Sequence, residues 1–122
     1  MITGIGIDIV DIRRMEHWKN NMKLMERYFN PDELSYILSQ KSALSLAARF
    51  AVKEAFGKAL GTGLTNIVLK DIMVINQDNG KPELCLTGTA RNAMEKTGAD
   101  KAHISLSHER DNAIALVILE KV

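Results

Sequence analysis

Cysteine is nearly absent from this 122-residue sequence, where Cys85 stands alone. No internal disulfide can form, and nothing in the composition argues for an oxidising compartment. Charge of one sign is not in excess either. Sixteen basic residues meet fifteen acidic ones, and the balance holds along the chain: nine basic and seven acidic in 1–66, seven and eight in 67–122. That excludes a basic block for nucleic acid and an acidic solvating tail. Long apolar runs are also missing. No window approaches the roughly 18 apolar residues of a membrane span, and Asp8 interrupts the apolar segment near the N-terminus. The chain reads as cytoplasmic. There is no linker, low-complexity tract or internal repeat, and all six aromatic residues precede residue 57, after which β-branched runs dominate.

What is present fits one domain spanning 1–122. Hydrophobic residues at 46% and charged residues at 25% are ordinary globular values. A domain this small gives up much of its surface to any sizeable ligand cleft, so a site shared with a neighbouring copy is expected.

Residues 2–10 alternate with period two and predict a strand, with Ile5, Ile7 and Ile9 on one face and Gly4, Gly6 and Asp8 on the other. A helix is expected from about Asp11, carrying Met15, Trp18, Met22 and Met25 as packing residues. Asn30-Pro31-Asp32-Glu33 supplies a cap, a first-turn proline and an acid three residues on, which starts a second helix. A third runs from about Ser42 to Leu60 and stops at Gly61-Thr62-Gly63. Strands at 67–76 and 83–87 flank the hairpin signal Asp78-Asn79-Gly80. A short helix near Thr89–Thr97 and strands at His103–Ser107 and Ala113–Leu119, turning at Arg110-Asp111-Asn112, complete the order β-α-α-α-β-β-α-β-β. This is an α+β fold with a largely antiparallel sheet packed on helices.

Three places carry candidate chemistry. Asp8 is a carboxylate in mid-strand on a face otherwise made of glycine, either a hard oxygen ligand beside an open space or the end of the strand and cap of the next helix. On the third helix, at about 100° per residue, Arg49 and Lys53 fall on one side, expected towards solvent. Glu54 and Lys58 fall on another face among Ala47, Phe50 and Ala51, as a helix ion pair or as part of a site. In 103–108, His103, Ser105 and Ser107 share one strand face, a cleft lining or an exposed sheet surface. There is no nucleophile elbow for a serine hydrolase, and two histidines five apart on a strand face opposite sides, which argues against a zinc pair. A cation held by Asp8 and Glu54 alone would be hard, Mg²⁺ or similar, completed by water and substrate phosphates.

With these features the sequence resembles the small bacterial holo-acyl-carrier-protein synthases, a class of 4′-phosphopantetheinyl transferase, over nearly its whole length. The match rests on four motifs in order: Gly4-Ile5-Gly6-Ile7-Asp8-Ile9-Val10-Asp11-Ile12, the run from Arg49 through Lys53-Glu54-Ala55-Phe56-Gly57-Lys58 to Gly63, Asn79-Gly80-Lys81-Pro82, and His103-Ile104-Ser105-Leu106-Ser107-His108. Asn112 departs from the aromatic residue often found after the final turn. The resemblance implies transfer of the 4′-phosphopantetheine group from coenzyme A to a serine of apo-acyl carrier protein, releasing adenosine 3′,5′-bisphosphate, in support of fatty acid biosynthesis.

It implies further that Asp8 and Glu54 hold Mg²⁺, that Lys58 contacts the pyrophosphate, and that Gly80 and Pro82 line the cleft. His103 would sit by the nucleotide, Arg49 would reach the 3′-phosphate, and Arg13 and Arg14 would dock the carrier protein. A homotrimer with sites between subunits is implied as well, which would let Arg49 and Glu54 serve different sites from one helix. Lys53 is read as a solvated helix charge. Two rival readings are a metal-dependent nucleotide hydrolase and a non-catalytic coenzyme A binding module.

Overall fold

A computed structural model describes residues 1–122. Strand β1 (Ile2–Asp11) leads into a short helix α1 (Ile12–Met15), a 3₁₀ segment (Glu16–Asn20), and helices α2 (Met22–Tyr28), α3 (Pro31–Ser39) and α4 (Leu44–Leu60). A second 3₁₀ turn (Leu69–Asp71) precedes the hairpin β2 (Ile72–Asn76) and β3 (Pro82–Leu86), then α5 (Gly88–Lys96), β4 (Lys101–Glu109) and β5 (Asn112–Glu120). The expected α+β order is present with two refinements. The first predicted helix is broken into three pieces, because Asp11 caps α1 through Arg13 N–H (2.9 Å) and Asn21 caps α2 through Leu24 N–H (3.2 Å). β2 begins at Ile72 rather than 67, since Val68 N–H is taken by the Thr89 hydroxyl (2.8 Å) and the chain then turns through Asp71.

The strands form two antiparallel sheets, one ordered β1-β5-β4 and the other β2-β3. Asp8 stands opposite Ala115 of β5, which stands opposite Leu106 of β4. The caps follow the sequence: Asn30 Oδ1 accepts from Glu33 N–H at 3.0 Å with Pro31 in the first turn, and α4 closes on Gly61 at φ 81°, a left-handed conformation that suits glycine.

The long helix α4 lies across the inner face of the three-stranded sheet. Ala47, Ala51, Ala55 and Ala59 recur every four residues and are all buried, so the helix presents a flat seam. Facing them, β1 offers Gly4 and Gly6. A β-carbon at either would fall onto the carbonyl oxygens of Ala59 or Ala55. The glycines therefore allow backbone to lie on backbone, and they pack against α4 rather than against the helix that follows β1. Met15, Met25, Phe29, Phe56 and Leu119 belong to a continuous core of 23 buried residues, with Trp18 half-buried against it.

The opposite face of the sheet is bare. Ile5, Ile7 and Ile9 are 60%, 59% and 60% exposed, and the pairing sets Ile7 beside Leu116 and Leu116 beside Ser105. His103, Ser105 and Ser107 alternate onto this same outer side.

Two solvent-facing expectations fail. Lys53 is 0% exposed and Arg49 only 6%. Lys53 is no solvated charge, because Glu33 lies opposite it at 3.0 Å and the carbonyls of Leu69 and Ile72 accept its remaining protons. Helix α4 is buried on most sides, with Leu46, Val52 and Phe56 also inside, which leaves little circumference for solvent.

Candidate active site

β1 and α4 bring together the three residues expected to act as a unit. Lys58, in the last turn of α4, donates to Asp8 Oδ1 at 3.0 Å and to the Ile7 carbonyl at 3.0 Å. Asp8 keeps 15% of its side chain exposed and Lys58 56%, so the pair sits at the rim rather than in the core. Glu54 lies one turn earlier on the same helix. Burial raises its carboxyl above the ordinary range, and the negative charge of Asp8 raises it further, against the opposing charges of Lys58 and Arg14. The two carboxylates are thus close enough to repel. Asp8 does not cap the next helix; Asp11 does.

Two hard oxygen groups held in mutual repulsion suit a divalent cation, which would relieve the repulsion. No cluster of three or more His, Cys, Asp or Glu exists to hold a metal, so softer, fully protein-ligated sites such as structural zinc have no donor set here. Two carboxylates with no softer donor beside them are the kind of set that suits a hard cation such as Mg²⁺.

Arg49, Gly80 and Pro82 meet elsewhere. They line one cleft of about 390 Å³ between α3, α4, the β2–β3 hairpin and β4, together with Tyr36, Ser107 and His108. Gly80 adopts φ 86° in the hairpin turn, where Lys81 N–H is held by Asn79 Oδ1 at 3.0 Å. Around Pro82 the groove continues into a second hollow of about 350 Å³ that holds His103, Lys81 and Lys101. There His103 Nε2 lies 2.9 Å from Glu120 Oε1. Asp8, Glu54 and Lys58 are not among the walls of either hollow.

Arg13 and Arg14 are both exposed on α1 and differ in their surroundings. Arg13 is engaged by Asp11 at 2.9 Å and by Asp111 at 3.7 Å. Arg14 carries no such pair, and its charge reaches Glu54.

Sequence reasoning missed Glu33 as anything beyond a helix start. Its backbone N–H takes the cap, but its carboxylate turns inward to Lys53 and to Val74 N–H (3.1 Å) instead of returning to the cap. The sequence carries no signal for it, since Ser45, Arg49 and Lys53 follow one another at i,i+4 spacing, the same pattern that a solvated helix face shows.

Fold and rim together define a small α+β protein with a two-carboxylate, one-lysine centre suited to phosphate chemistry. The sequence pattern of the 4′-phosphopantetheinyl transferase superfamily matches residues 4–117. A holo-[acyl-carrier-protein] synthase of Treponema denticola is 56% identical over 122 residues, covering 98% of this chain and 99% of that protein. Another from Trichlorobacter lovleyi is 50% identical, covering 98% of each. Among solved structures, the holo-[acyl-carrier-protein] synthase of Neisseria meningitidis superimposes with a TM-score of 0.87 at 36% identity, over 99% of this chain and all of that one. The Bacillus anthracis synthase, solved in complex with CoA (3′,5′-ADP), gives 0.83 at 36% identity over 100% and 99%. The chain belongs to the 4′-phosphopantetheinyl transferase superfamily.

Proposed function

We propose that this chain is a holo-[acyl-carrier-protein] synthase that moves 4′-phosphopantetheine from coenzyme A to a serine of apo-acyl carrier protein, serving fatty acid biosynthesis. The observation that carries this reading is full-length identity of 56% to a relative of that name, joined to an acidic pair and a lysine at the rim of α4. The serine oxygen, giving its proton to a carboxylate of the site or to water, would form a bond to the β-phosphorus while the bond from that phosphorus to the departing adenosine 3′,5′-bisphosphate breaks.

Asp8 and Glu54 would hold Mg²⁺, which when bound would supply positive charge to the pyrophosphate. Lys58 would set its ammonium against the same pyrophosphate and offset charge on the leaving oxygen. Arg49 would take the 3′-phosphate in the cleft walled by Gly80 and Pro82, with His103 beside the nucleotide in the adjoining groove. Arg13 and Arg14 would face the acidic carrier protein. The lone Cys85 is consistent with a cytoplasmic location, and the continuous 23-residue core supports one catalytic domain over 1–122.

The site would be completed by a second copy in a homotrimer. Two features support this: the bare isoleucine face of the sheet is the kind of apolar patch that marks an interface, and the Arg49 cleft and the Glu54 rim are separate within one chain. Incubation with coenzyme A, Mg²⁺ and apo-carrier, read by mass spectrometry, tests the function. Gain of the pantetheine arm by the carrier is the expected result. Cleavage of coenzyme A without transfer would favour a hydrolase, and binding alone a non-catalytic module.

A further inference from the structure

Between α3 and α4 lies a group of charges that the rim chemistry does not use. Glu33 is 2% exposed, beside the buried Lys53 and Arg49. Its Oε1 accepts from Lys53 Nζ at 3.0 Å and its Oε2 from Val74 N–H at 3.1 Å. Lys53 also donates to the Leu69 carbonyl at 3.0 Å and to that of Ile72, so all three ammonium protons are engaged. Arg49 approaches the same carboxylate from the other side, with Nε 4.0 Å from Oε2, which is an ion pair too long to be a hydrogen bond. Its guanidinium otherwise meets the Ser45 hydroxyl at 3.0 Å and lies 4.5 Å from the centre of the Tyr36 ring, while Nε has no hydrogen-bond partner.

One carboxylate therefore faces two cations, and the group carries an excess positive charge away from water. Such an excess is costly until an anion meets it. Arg49 is the member with donors to spare, and it is also the one that lines the 390 Å³ cleft. Nε lies towards Glu33 and Nη1 donates to Ser45, so Nη2 is the terminal nitrogen that neither of them takes. A guanidinium edge matches a phosphate in paired hydrogen bonds. The same carboxylate, through Val74, and Lys53, through Leu69 and Ile72, fasten β2 to α3 and α4. β2 runs into the hairpin that carries Gly80 and Pro82, the opposite wall of the cleft.

We infer that Glu33, with Lys53, is a positioning residue for Arg49, and that this shared carboxylate sets the preference of the cleft for a ligand with a terminal phosphate monoester. The inference rests on the reading above that Arg49 takes the 3′-phosphate of coenzyme A. Burial lowers the proton affinity of both Lys53 and Arg49, and the charge of Glu33 opposes that fall in each.

The test compares binding of coenzyme A with binding of 3′-dephospho-coenzyme A by calorimetry, alongside thermal melts. Glu33→Gln keeps the shape and an acceptor while removing the charge. Its affinity for coenzyme A is expected to fall about tenfold through lost preorganisation, with dephospho-coenzyme A unchanged, so the preference shrinks by that factor. A lowered Tm with the preference intact would overturn the inference and leave Glu33 a fold residue only. Should Glu33→Gln not fold, Glu33→Leu with Lys53→Met replaces the buried pair by apolar groups of similar volume, a change proteins tolerate. The same loss of preference is expected there, and a retained preference again overturns the inference. A parent protein that does not distinguish the two ligands removes the role of Arg49 itself, a different failure from the first.

Discussion

Lys58 Nζ stands 3.0 Å from Asp8 Oδ1, across fifty residues of sequence, and ties the middle of β1 to the last turn of α4. With the lysine more than half exposed, the pair contributes less than about 1 kcal/mol to stability. On the proposed function, the pair places an acid and an ammonium where a pyrophosphate would meet both. Asp8→Asn is therefore expected to melt within a few degrees of the parent while Mg²⁺-dependent transfer falls at least about a hundredfold. Transfer that survives the substitution would remove Asp8 from the metal site.

Glu54 makes a prediction about pH. Its carboxyl is raised by burial and by Asp8, so the folded chain keeps a proton that the unfolded chain, titrating near about pH 4.3, has already released. That contribution to stability is complete below the unfolded value and is lost as pH rises through the raised folded value. Ionising Glu54 is therefore a net cost to the folded state. Glu54→Gln is expected to melt slightly above the parent in metal-free buffer, and Mg²⁺ to raise the Tm of the parent but not of the variant. The Mg²⁺ increment should shrink on the acid side, and an increment flat with pH would count against Glu54 as a ligand.

Gly6→Ala tests the contact beneath the site. The added carbon would fall onto the Ala55 carbonyl oxygen and within 2.6 Å of Ala59 N, both backbone atoms of α4 that cannot rotate away. A loss of about 1–3 kcal/mol or more is expected in chemical denaturation, the cost of overpacking. A neutral result would mean that strand and helix are less tightly apposed than this.

If sites are shared between copies, defective chains should repair one another. Arg49→Ala and Glu54→Gln chains are each expected to be inactive alone. After mixing under conditions that exchange subunits, about a quarter of the sites would regain both groups by random pairing in a cyclic trimer. Ile7→Glu, on the bare sheet face, is expected to give monomers by light scattering. No recovery on mixing, with trimers intact, would place both groups in one chain's site.

The two neighbouring arginines of α1 should not be equal. Arg13 is already engaged by Asp11 and Asp111, whereas Arg14 has no such partner. Charge reversal at Arg14 is expected to raise KM for the carrier more than reversal at Arg13, with KM for coenzyme A little changed. Equal effects on both substrates would argue against a docking role.

Much of this was legible in the sequence because local rules governed it. The period-two pattern of 2–10, the Asn30-Pro31 start, the Gly61 stop and the turn at Asp78-Asn79-Gly80 are decided by neighbours within a few residues. That Asp8, Glu54 and Lys58 would act together was legible through the family resemblance, since an acid among glycines in β1 does not by itself say which helix it meets. The buried Glu33–Lys53–Arg49 group was not legible, because it joins α3, α4 and β2 across 41 residues, and no local pattern distinguishes a lysine that faces water from one that faces a distant carboxylate. The division of the strands into β1-β5-β4 and β2-β3 was hidden likewise, because the pairing of β1 with β5 joins strands more than a hundred residues apart and leaves no local mark.

Where Gly4 and Gly6 meet α4, main chain rests directly on main chain, with no side chain between them to act as a cushion. A ruler of that kind has no rotamers. The spacing of β1 from α4, and with it the placing of Asp8 against the helix that carries Glu54 and Lys58, is thereby set by peptide units, which neither compress nor swing.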